Sequence, residues 1–241
     1  MFAGENKGKW VPRAVPYQRA YDANLGCWSS FDGVFLYPEY LADYTITLCP
    51  SDAEYSEWLD PAKIVYPVHP TWIAAPDPNP VKGKTEFPLL SDRSYVYWGY
   101  VVNPNDAIDP LDMGEFARTL DNISSNCVGN TTRFGDITVT KPSNGETVTL
   151  YCFREGIERF AVTDINNPSA SNRAESQIPV MWDTVRTDNG TPLPNEYNHL
   201  PGANILFMDG HVEFARYPQP PGSLFWMLTL AAATDGEPSF P

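Results

Sequence analysis

The strongest chemical pattern in this sequence lies near its C-terminal end, in the stretch HLPGANILFMDGHVEF at positions 199–214. His199 is followed, after nine residues, by Asp209 and Gly210, and His211 comes directly behind them. Imidazole and carboxylate groups are ligands for metal ions and partners in acid–base catalysis. The first question is therefore whether His199 and Asp209 can meet.

The residues between these groups predict a β-hairpin over 199–216. An Asp-Gly pair flanked by alternating apolar residues is a strong turn signal. A two-residue turn fixes the register, because successive side chains of a strand point to opposite faces. The side chains that this register places together on one buried face are Ile205, Phe207, Val212 and Phe214.

This hairpin argues against an ion shared by the two groups. His199 precedes the first strand, whereas Asp209 lies in the turn at its far end. Five strand residues span about 17 Å, and a metal lies about 2 Å from each ligand. The pattern therefore favours a structural motif.

Other oxygen donors follow two short apolar runs that we interpret as strands. Asp164 and Asp183 end these runs, and the segment TDINNP adds Asn166 and Asn167. Calcium prefers such ligands, so one hypothesis is a calcium site formed by these four residues, with His199 orienting a nearby carboxylate. A metal-dependent hydrolase using Asp164, Asp183 and His199 is a second hypothesis. The simpler alternative is that these side chains satisfy the backbone of turns.

The four cysteines are Cys27, Cys49, Cys127 and Cys152. No two of them have the C-x-x-C spacing, which disfavours a structural zinc site. An even count permits two disulfides in three connectivities. We expect the pairs Cys27–Cys49 and Cys127–Cys152, since each closes a moderate loop, with buried free thiols as the alternative.

The charge and the apolar content of the chain exclude some classes of function. The net charge is −14, from 30 acidic and 16 basic residues, and no basic patch interrupts it. Nucleic acid is therefore not an expected partner. The longest apolar run, at 224–233, is about half of the ~20 residues that a membrane-spanning helix needs. We expect this chain to be soluble as it stands.

The element pattern predicts an α+β fold with an antiparallel sheet, short helices and long loops. The 24 prolines shorten the elements. We find no repeat and no domain break, so a single domain over 1–241 is expected. Helices are predicted within 35–44, 56–60 and 111–126, and strands within 45–52, 91–102, 137–153 and 178–185; 74–88 is predicted to be a surface loop.

Four aromatic residues suggest carbohydrate binding as an alternative function. Trp72, Tyr95, Tyr97 and Trp98 could form a flat platform on which sugars stack. Strand alternation, however, sends Tyr95 and Tyr97 to one face and Trp98 to the other. Core packing is therefore the competing interpretation.

Several blocks together resemble the pilin-like (prepilin-type, pseudopilin-like) proteins that carry a C-terminal H-x9-DG motif. The blocks are ENKGKWVPR, LYPEYLADYTITLCPSD, REGIERFAVTDINNP, IPVMWDTV and NHLPGANILFMDGHVEFARYP, in the order expected for that family. The motif residues carried over are His199, Gly202, Asp209, Gly210 and His211.

The resemblance implies a globular pilin-like head and a structural role without enzymatic activity. The implied role is assembly into a type IV pilus-like filament or a type II secretion pseudopilus, with calcium as the only cofactor to consider. Family members begin with a basic leader and a long apolar helix, which anchors the precursor in the inner membrane and later joins copies or other pilin-like subunits. That helix is absent from this sequence. A secreted or surface carbohydrate-binding module on the same scaffold is the alternative function.

Overall fold

The computed structural model of this chain describes the following residues: 2–5, 7–10, 30–31, 33–52, 55–60, 65–67, 86–88, 94–101, 109, 111–112, 114–116, 119, 135–157, 176, 178–188, 191–199 and 201–216. Helices are short in this part of the chain. They are α1 (Phe2–Glu5), α2 (Gly33–Leu36), a 3-10 helix (Tyr44–Thr47) and α3 (Tyr55–Trp58). None of the described helices has the length and apolar character needed to cross a membrane.

Every strand pairing in the described residues is antiparallel. The strands are β1 (Val65–Pro67), β2 (Glu86–Pro88), β3 (Tyr95–Tyr97), β4 (Tyr100–Val101), β5 (Ile137–Thr140), β6 (Thr147–Cys152), β7 (Pro179–Asp183), β8 (Val185–Asp188), β9 (Thr191–Tyr197), β10 (Gly202–Phe207) and β11 (Val212–Arg216). A four-stranded sheet has the order β11-β10-β7-β3, and a three-stranded sheet has the order β4-β6-β5. Two-stranded ladders pair β1 with β2 and β8 with β9. Antiparallel sheets with few short helices agree with the predicted α+β class at this coarse level.

The long aromatic run at 91–102 forms two strands rather than one. Gly99 has a φ of +74°, which is a backbone conformation that favours glycine. The chain therefore leaves the four-stranded sheet after β3 and enters the three-stranded sheet at β4. The backbone N–H of Phe153 donates to the carbonyl of Gly99 at 3.0 Å and fixes this crossing point.

One core cluster includes residues from both sheets. Its buried members are Tyr97, Val101, Phe153, Ile157, Ile178 and Val180. The Tyr97 ring stacks on Phe31 with centroids 4.2 Å apart, and the Phe153 ring stacks on Trp10 at 5.2 Å. Burying apolar surface contributes about 25 cal/mol per Å², so burial of this cluster helps to hold the two sheets together.

The turn predicted between the strands of 137–153 is confirmed. Lys141 and Glu146 close it, with the Lys141 N–H donating to the Glu146 carbonyl at 2.8 Å, and Gly145 takes a φ of +75°. Asp112, in the helical residues near 111–119, accepts hydrogen bonds from the backbone N–H and the hydroxyl of Ser143. The helical segment is thereby attached to this turn.

The strand predicted at 45–52 is wrong, because Tyr44–Thr47 is a 3-10 helix. The Asp43 carboxylate accepts hydrogen bonds from the backbone N–H and the hydroxyl of Thr45. The Thr47 hydroxyl donates to the carbonyl of Tyr44. Such local side-chain bonds compete with a sheet ladder for the backbone, and here they outweigh the β-propensity of threonine and isoleucine.

The hairpin at 199–216 is confirmed, but its predicted register is wrong by one residue. Ile205 lies opposite Glu213, and Leu206 lies opposite Val212. The loop has three residues, closed by the Phe207 N–H donating to the His211 carbonyl at 3.0 Å. A three-residue loop needs a positive φ at one position, which Gly210 supplies at +87°, whereas a type I′ turn also needs one at the preceding residue.

A one-residue shift exchanges the faces of a strand, so two burial predictions are also wrong. Ile205 and Phe207 are buried as expected, whereas Val212 is 59% exposed and Phe214 is 45% exposed. These two residues lie on β11, which is an edge strand of the four-stranded sheet. The buried face of the hairpin is therefore supplied by β10 alone.

Two buried tryptophans contact each other. The ring centroids of Trp98 and Trp182 are 5.7 Å apart in an edge-to-face arrangement with an interplanar angle of 67°, and both residues are buried. Neither indole N–H finds a hydrogen-bond partner among the described residues. A buried donor without a partner costs about 1–3 kcal/mol, so packing of these large rings must outweigh that cost.

The register can be tested with two phenylalanines of the same hairpin. Phe207→Ala removes a buried ring and should lower the free energy of unfolding by about 3–5 kcal/mol. Phe214→Ala removes a half-exposed ring and should cost only about 0.5–1 kcal/mol. Urea unfolding of both variants measures the difference, and equal losses would contradict the observed register.

Candidate functional site

The structure brings His199 together with Cys49 and Asp183. The Nε2 atom of His199 lies 3.3 Å from the Cys49 sulfur and 3.9 Å from Oδ2 of Asp183. The Asp183 and Cys49 residues are each 2% exposed, whereas the His199 side chain is 35% exposed. We call these three residues the thiol–imidazole cluster.

Strand pairing explains why the carboxylate lies here. Asp183 is the last residue of β7, and it lies opposite Tyr95 of β3. On the other side of β7, Asn204 of β10 donates to Asp183 Oδ2 from its backbone N–H at 2.7 Å and from its side-chain amide at 2.8 Å. Three neighbouring strands thus place Tyr95, Asp183 and Asn204 in one row across the sheet.

Ser94 fixes the segment that carries the thiol. The backbone N–H of Cys49 donates to the Ser94 hydroxyl at 2.9 Å, and that hydroxyl donates to Asp52 at 3.0 Å. The Ser94 carbonyl accepts from the side chain of Asn198 at 2.8 Å. Ser94 therefore connects the Cys49 segment with the residue that precedes His199.

Burial controls the electrostatics of the cluster. Loss of solvent raises the pKa of Asp183, while the hydrogen bonds from Asn204 and the nearby His199 ring act in the opposite direction. Burial also raises the pKa of Tyr95 to about 12, and the neighbouring Cys49 and Asp183 side chains add to this shift. The phenol is therefore a neutral hydrogen-bonding group at physiological pH.

The turn at the opposite end of β10 forms a separate site. Asp209 accepts a hydrogen bond from Nδ1 of His211 at 2.6 Å and one from the His211 backbone at 3.1 Å, and these bonds lower the pKa of Asp209. The His211 ring stacks on Phe207 at 4.5 Å. As the sequence predicts, His199 and Asp209 have different partners and do not share a site.

Gly202 fits a close approach between β10 and β11. A Cβ atom on Gly202 would lie 2.0 Å from the carbonyl oxygen of Ala215, a separation at which atoms clash. The Gly202 N–H donates to the His199 carbonyl at 2.8 Å. The glycine therefore lets the base of the hairpin close directly after His199.

Of the four residues in the predicted calcium site, the structure describes Asp183. Asp164, Asn166 and Asn167 lie outside the described residues, and Asp183 is occupied by its hydrogen bonds to Asn204. In the described ranges, no three His, Cys, Asp or Glu side chains are arranged to hold a metal ion. The calcium site therefore remains a prediction.

Cys49 and Cys152 are buried and carry free thiols in this structure. The disulfides Cys27–Cys49 and Cys127–Cys152 stay predictions, because each includes one cysteine whose placement is not described. Cys27 and Cys127 lie outside the described residues. The Cys49 sulfur has the His199 ring as its neighbour, and nothing in the chain spacing indicated this contact, because the two residues are 150 positions apart.

The predicted sugar platform does not fit the geometry. Tyr97 is 1% exposed and Trp98 is 2% exposed, so neither ring face is open for stacking. Tyr95 points its hydroxyl into the thiol–imidazole cluster, and Trp72 lies outside the described residues. Tyr97 and Trp98 are therefore core aromatics, whereas Tyr95 is partly exposed.

The thiol–imidazole cluster differs from a catalytic cysteine–histidine arrangement in two ways. In such arrangements the third group orients the imidazole through the nitrogen that the nucleophile does not use. Here Asp183 and Cys49 approach the same nitrogen, Nε2. The thiol is also almost completely buried, whereas catalytic cysteines are partly exposed.

Comparison with known proteins adds no family assignment. No protein-family model matches the chain, and neither the curated proteins nor the solved structures include a significant match. The cluster is therefore interpreted from its geometry.

The close approach at Gly202 predicts a specific stability loss. Gly202→Ala forces the two strands apart and should cost about 1–3 kcal/mol. Gly4→Ala is the matched control, because a Cβ there meets nothing within 4 Å, and its effect should stay within about 0.5 kcal/mol. Thermal unfolding of both variants makes the comparison, and a Gly202→Ala chain as stable as the Gly4→Ala control would refute the close approach.

Because the Asp183 carboxyl is buried, the folding stability of the chain should change with pH in a defined direction. Its folded pKa lies above the ordinary value of 3.8, so the folded chain keeps this proton to a higher pH than the unfolded chain does. The contribution of Asp183 to stability must then fall as pH rises from 3.8 through the raised pKa.

Asp183→Asn removes this titration. Denaturant unfolding of both proteins at several values between about pH 3.5 and pH 7 should show the wild type losing stability relative to the variant as pH rises. A difference that is constant, or that changes in the opposite direction, would show that burial does not control this group.

Proposed function

We propose that this chain is the globular head of a pilin-like structural subunit, which assembles into a type IV pilus-like filament or a type II secretion pseudopilus and has no enzymatic activity. The observation that supports this proposal best is that the residues of the H-x9-DG motif make contacts within the fold. His199 contacts Cys49 and Asp183, Gly202 packs against Ala215, and Asp209 binds His211. Each of these residues has a partner within the fold, as expected for a structural motif.

The positions of the family-like sequence blocks in the fold also support this proposal. The segment TITLCPSD carries Cys49, the segment IPVMWDTV carries Asp183, and NHLPG carries His199. Three blocks that resemble the same family therefore meet in one cluster. A strongly acidic chain without a basic patch also favours a protein partner over nucleic acid.

The role in assembly is part of the proposal. The native precursor carries an apolar N-terminal helix ahead of the head, which anchors it in the inner membrane and later packs against the helices of other subunits. The mature filament places the head at the cell surface or in the periplasm. The carbohydrate-binding alternative has no comparable support, because Tyr97 and Trp98 are buried.

Fractionation of the source cells tests this function. Antibodies against the head should detect the native protein in the inner membrane and in filaments sheared from the surface. The codons upstream of Met1 should encode a basic leader and about 20 apolar residues. Recovery of the native protein only as a soluble cytoplasmic monomer would overturn the proposal.

A matched control separates the two parts of the subunit. The chain expressed from Met1 alone contains the head without the apolar helix, so it should fold but stay out of filaments that the native protein forms. Entry of the isolated head into those filaments would show that assembly does not depend on the helix.

A further inference from the structure

The Cys49 thiol lies where the hairpin is attached to the rest of the fold. Its contact with His199 joins residues that are 150 positions apart. His199 comes directly before β10, and its carbonyl accepts the N–H of Gly202 at the base of the hairpin. The neighbouring Asn198 is held separately by the Ser94 carbonyl. Within the described residues, the thiol contact is therefore one of the contacts that hold His199 at this end of the hairpin.

The space around the sulfur is filled. Cys49 and Asp183 are 2% exposed, and Ser94 is 0% exposed. The Tyr95 phenol lies near the Cys49 side chain, which contributes to the raised pKa of Tyr95. His199 is the member with a partly exposed side chain, at 35%. If the sulfur gained an additional atom, His199 is the side chain that could move outward to make room.

We propose that Cys49 and His199 form an oxidation-sensitive latch, in which an oxygen atom added to the Cys49 sulfur displaces His199 and loosens the base of the hairpin. The oxidant is a hydroperoxide. This proposal does not depend on filament assembly, since it concerns the isolated chain.

The oxidation is a balanced two-electron step. The sulfur attacks one oxygen of hydrogen peroxide, so that a sulfur–oxygen bond forms and the oxygen–oxygen bond breaks. The sulfur is oxidised to a sulfenic acid, and the thiol proton leaves with the released hydroxide as water. The product is bulkier than the thiol, and a filled site accommodates added atoms only by moving its neighbours.

Cys152 provides an internal comparison. It is also a buried free thiol, but its sulfur approaches the carbonyl of Phe153 at 3.8 Å instead of an imidazole. Burial raises the pKa of Cys152 to about 11, which suppresses the reactive thiolate. Because the Cys152 sulfur lies beside a carbonyl and the Cys49 sulfur lies beside an imidazole, we expect Cys152 to resist a dose of peroxide that oxidises Cys49.

The test combines chemical trapping with hydrogen exchange. The folded chain is treated with hydrogen peroxide, and sulfenic acids are trapped with a cyclic diketone and located by mass spectrometry. Cys49 should be labelled on the order of tenfold faster than Cys152. Amide exchange in 202–207 should rise about threefold to tenfold in the oxidised chain, corresponding to the loss of one hydrogen-bonding contact.

Cys49→Ser is the matched variant, because its hydroxyl can still contact His199 but cannot form a sulfenic acid. Peroxide should leave hairpin exchange in this variant unchanged, which also controls for oxidation of Met208 in the hairpin loop. If the variant does not fold, dithiothreitol provides a second control in the wild type, since it reduces a sulfenic acid but leaves methionine sulfoxide in place.

Every outcome of these experiments either supports or contradicts the proposal. Labelling at Cys49 with faster hairpin exchange that dithiothreitol reverses supports the latch. Absence of label at Cys49, label without a change in exchange, or an equal change in Cys49→Ser would overturn it.

Discussion

The pair of hydrogen bonds from Asn204 to the buried carboxylate of Asp183 is the constraint on which the rest of the structure depends. An isolated carboxylate is costly to bury, and these two bonds at 2.7 and 2.8 Å offset part of that cost. They also fix how β10 lies on β7. Because β10 begins just after His199 and continues into β11, this contact helps to set the position of the hairpin on β7.

The residues of the H-x9-DG motif make contacts at the two ends of β10. At the base, His199 reaches Cys49, and Gly202 allows the strands to close. At the tip, Asp209 holds the His211 backbone and ring. The nine residues between His199 and Asp209 are then the two residues before β10, the six residues of β10 and Met208. A fixed spacing of this kind does not require that the two ends take part in any common chemistry.

Sequence reasoning succeeded where local pattern determines structure, and failed where competing contacts do. The hairpin at 199–216 and the turn after Lys141 were predictable from turn residues between alternating strands. The register was not, because two-residue and three-residue loops both fit an Asp-Gly pair, and one residue of difference turned Val212 and Phe214 outward. The 3-10 helix at Tyr44–Thr47 depends on the Asp43 side chain. The contact between Cys49 and His199 arises from tertiary packing, which a single sequence does not encode in any readable spacing.

The edge-to-face pair of Trp98 and Trp182 gives the molecule an optical property as well as a core. Indole rings 5.7 Å apart and held at 67° couple their electronic transitions, so the pair should produce a circular-dichroism couplet in the ultraviolet. One ring follows β3 and the other belongs to β7, so the couplet depends on the packing of these two strands. The protein therefore carries its own chromophore pair for observing whether its central sheet is assembled, without any added label.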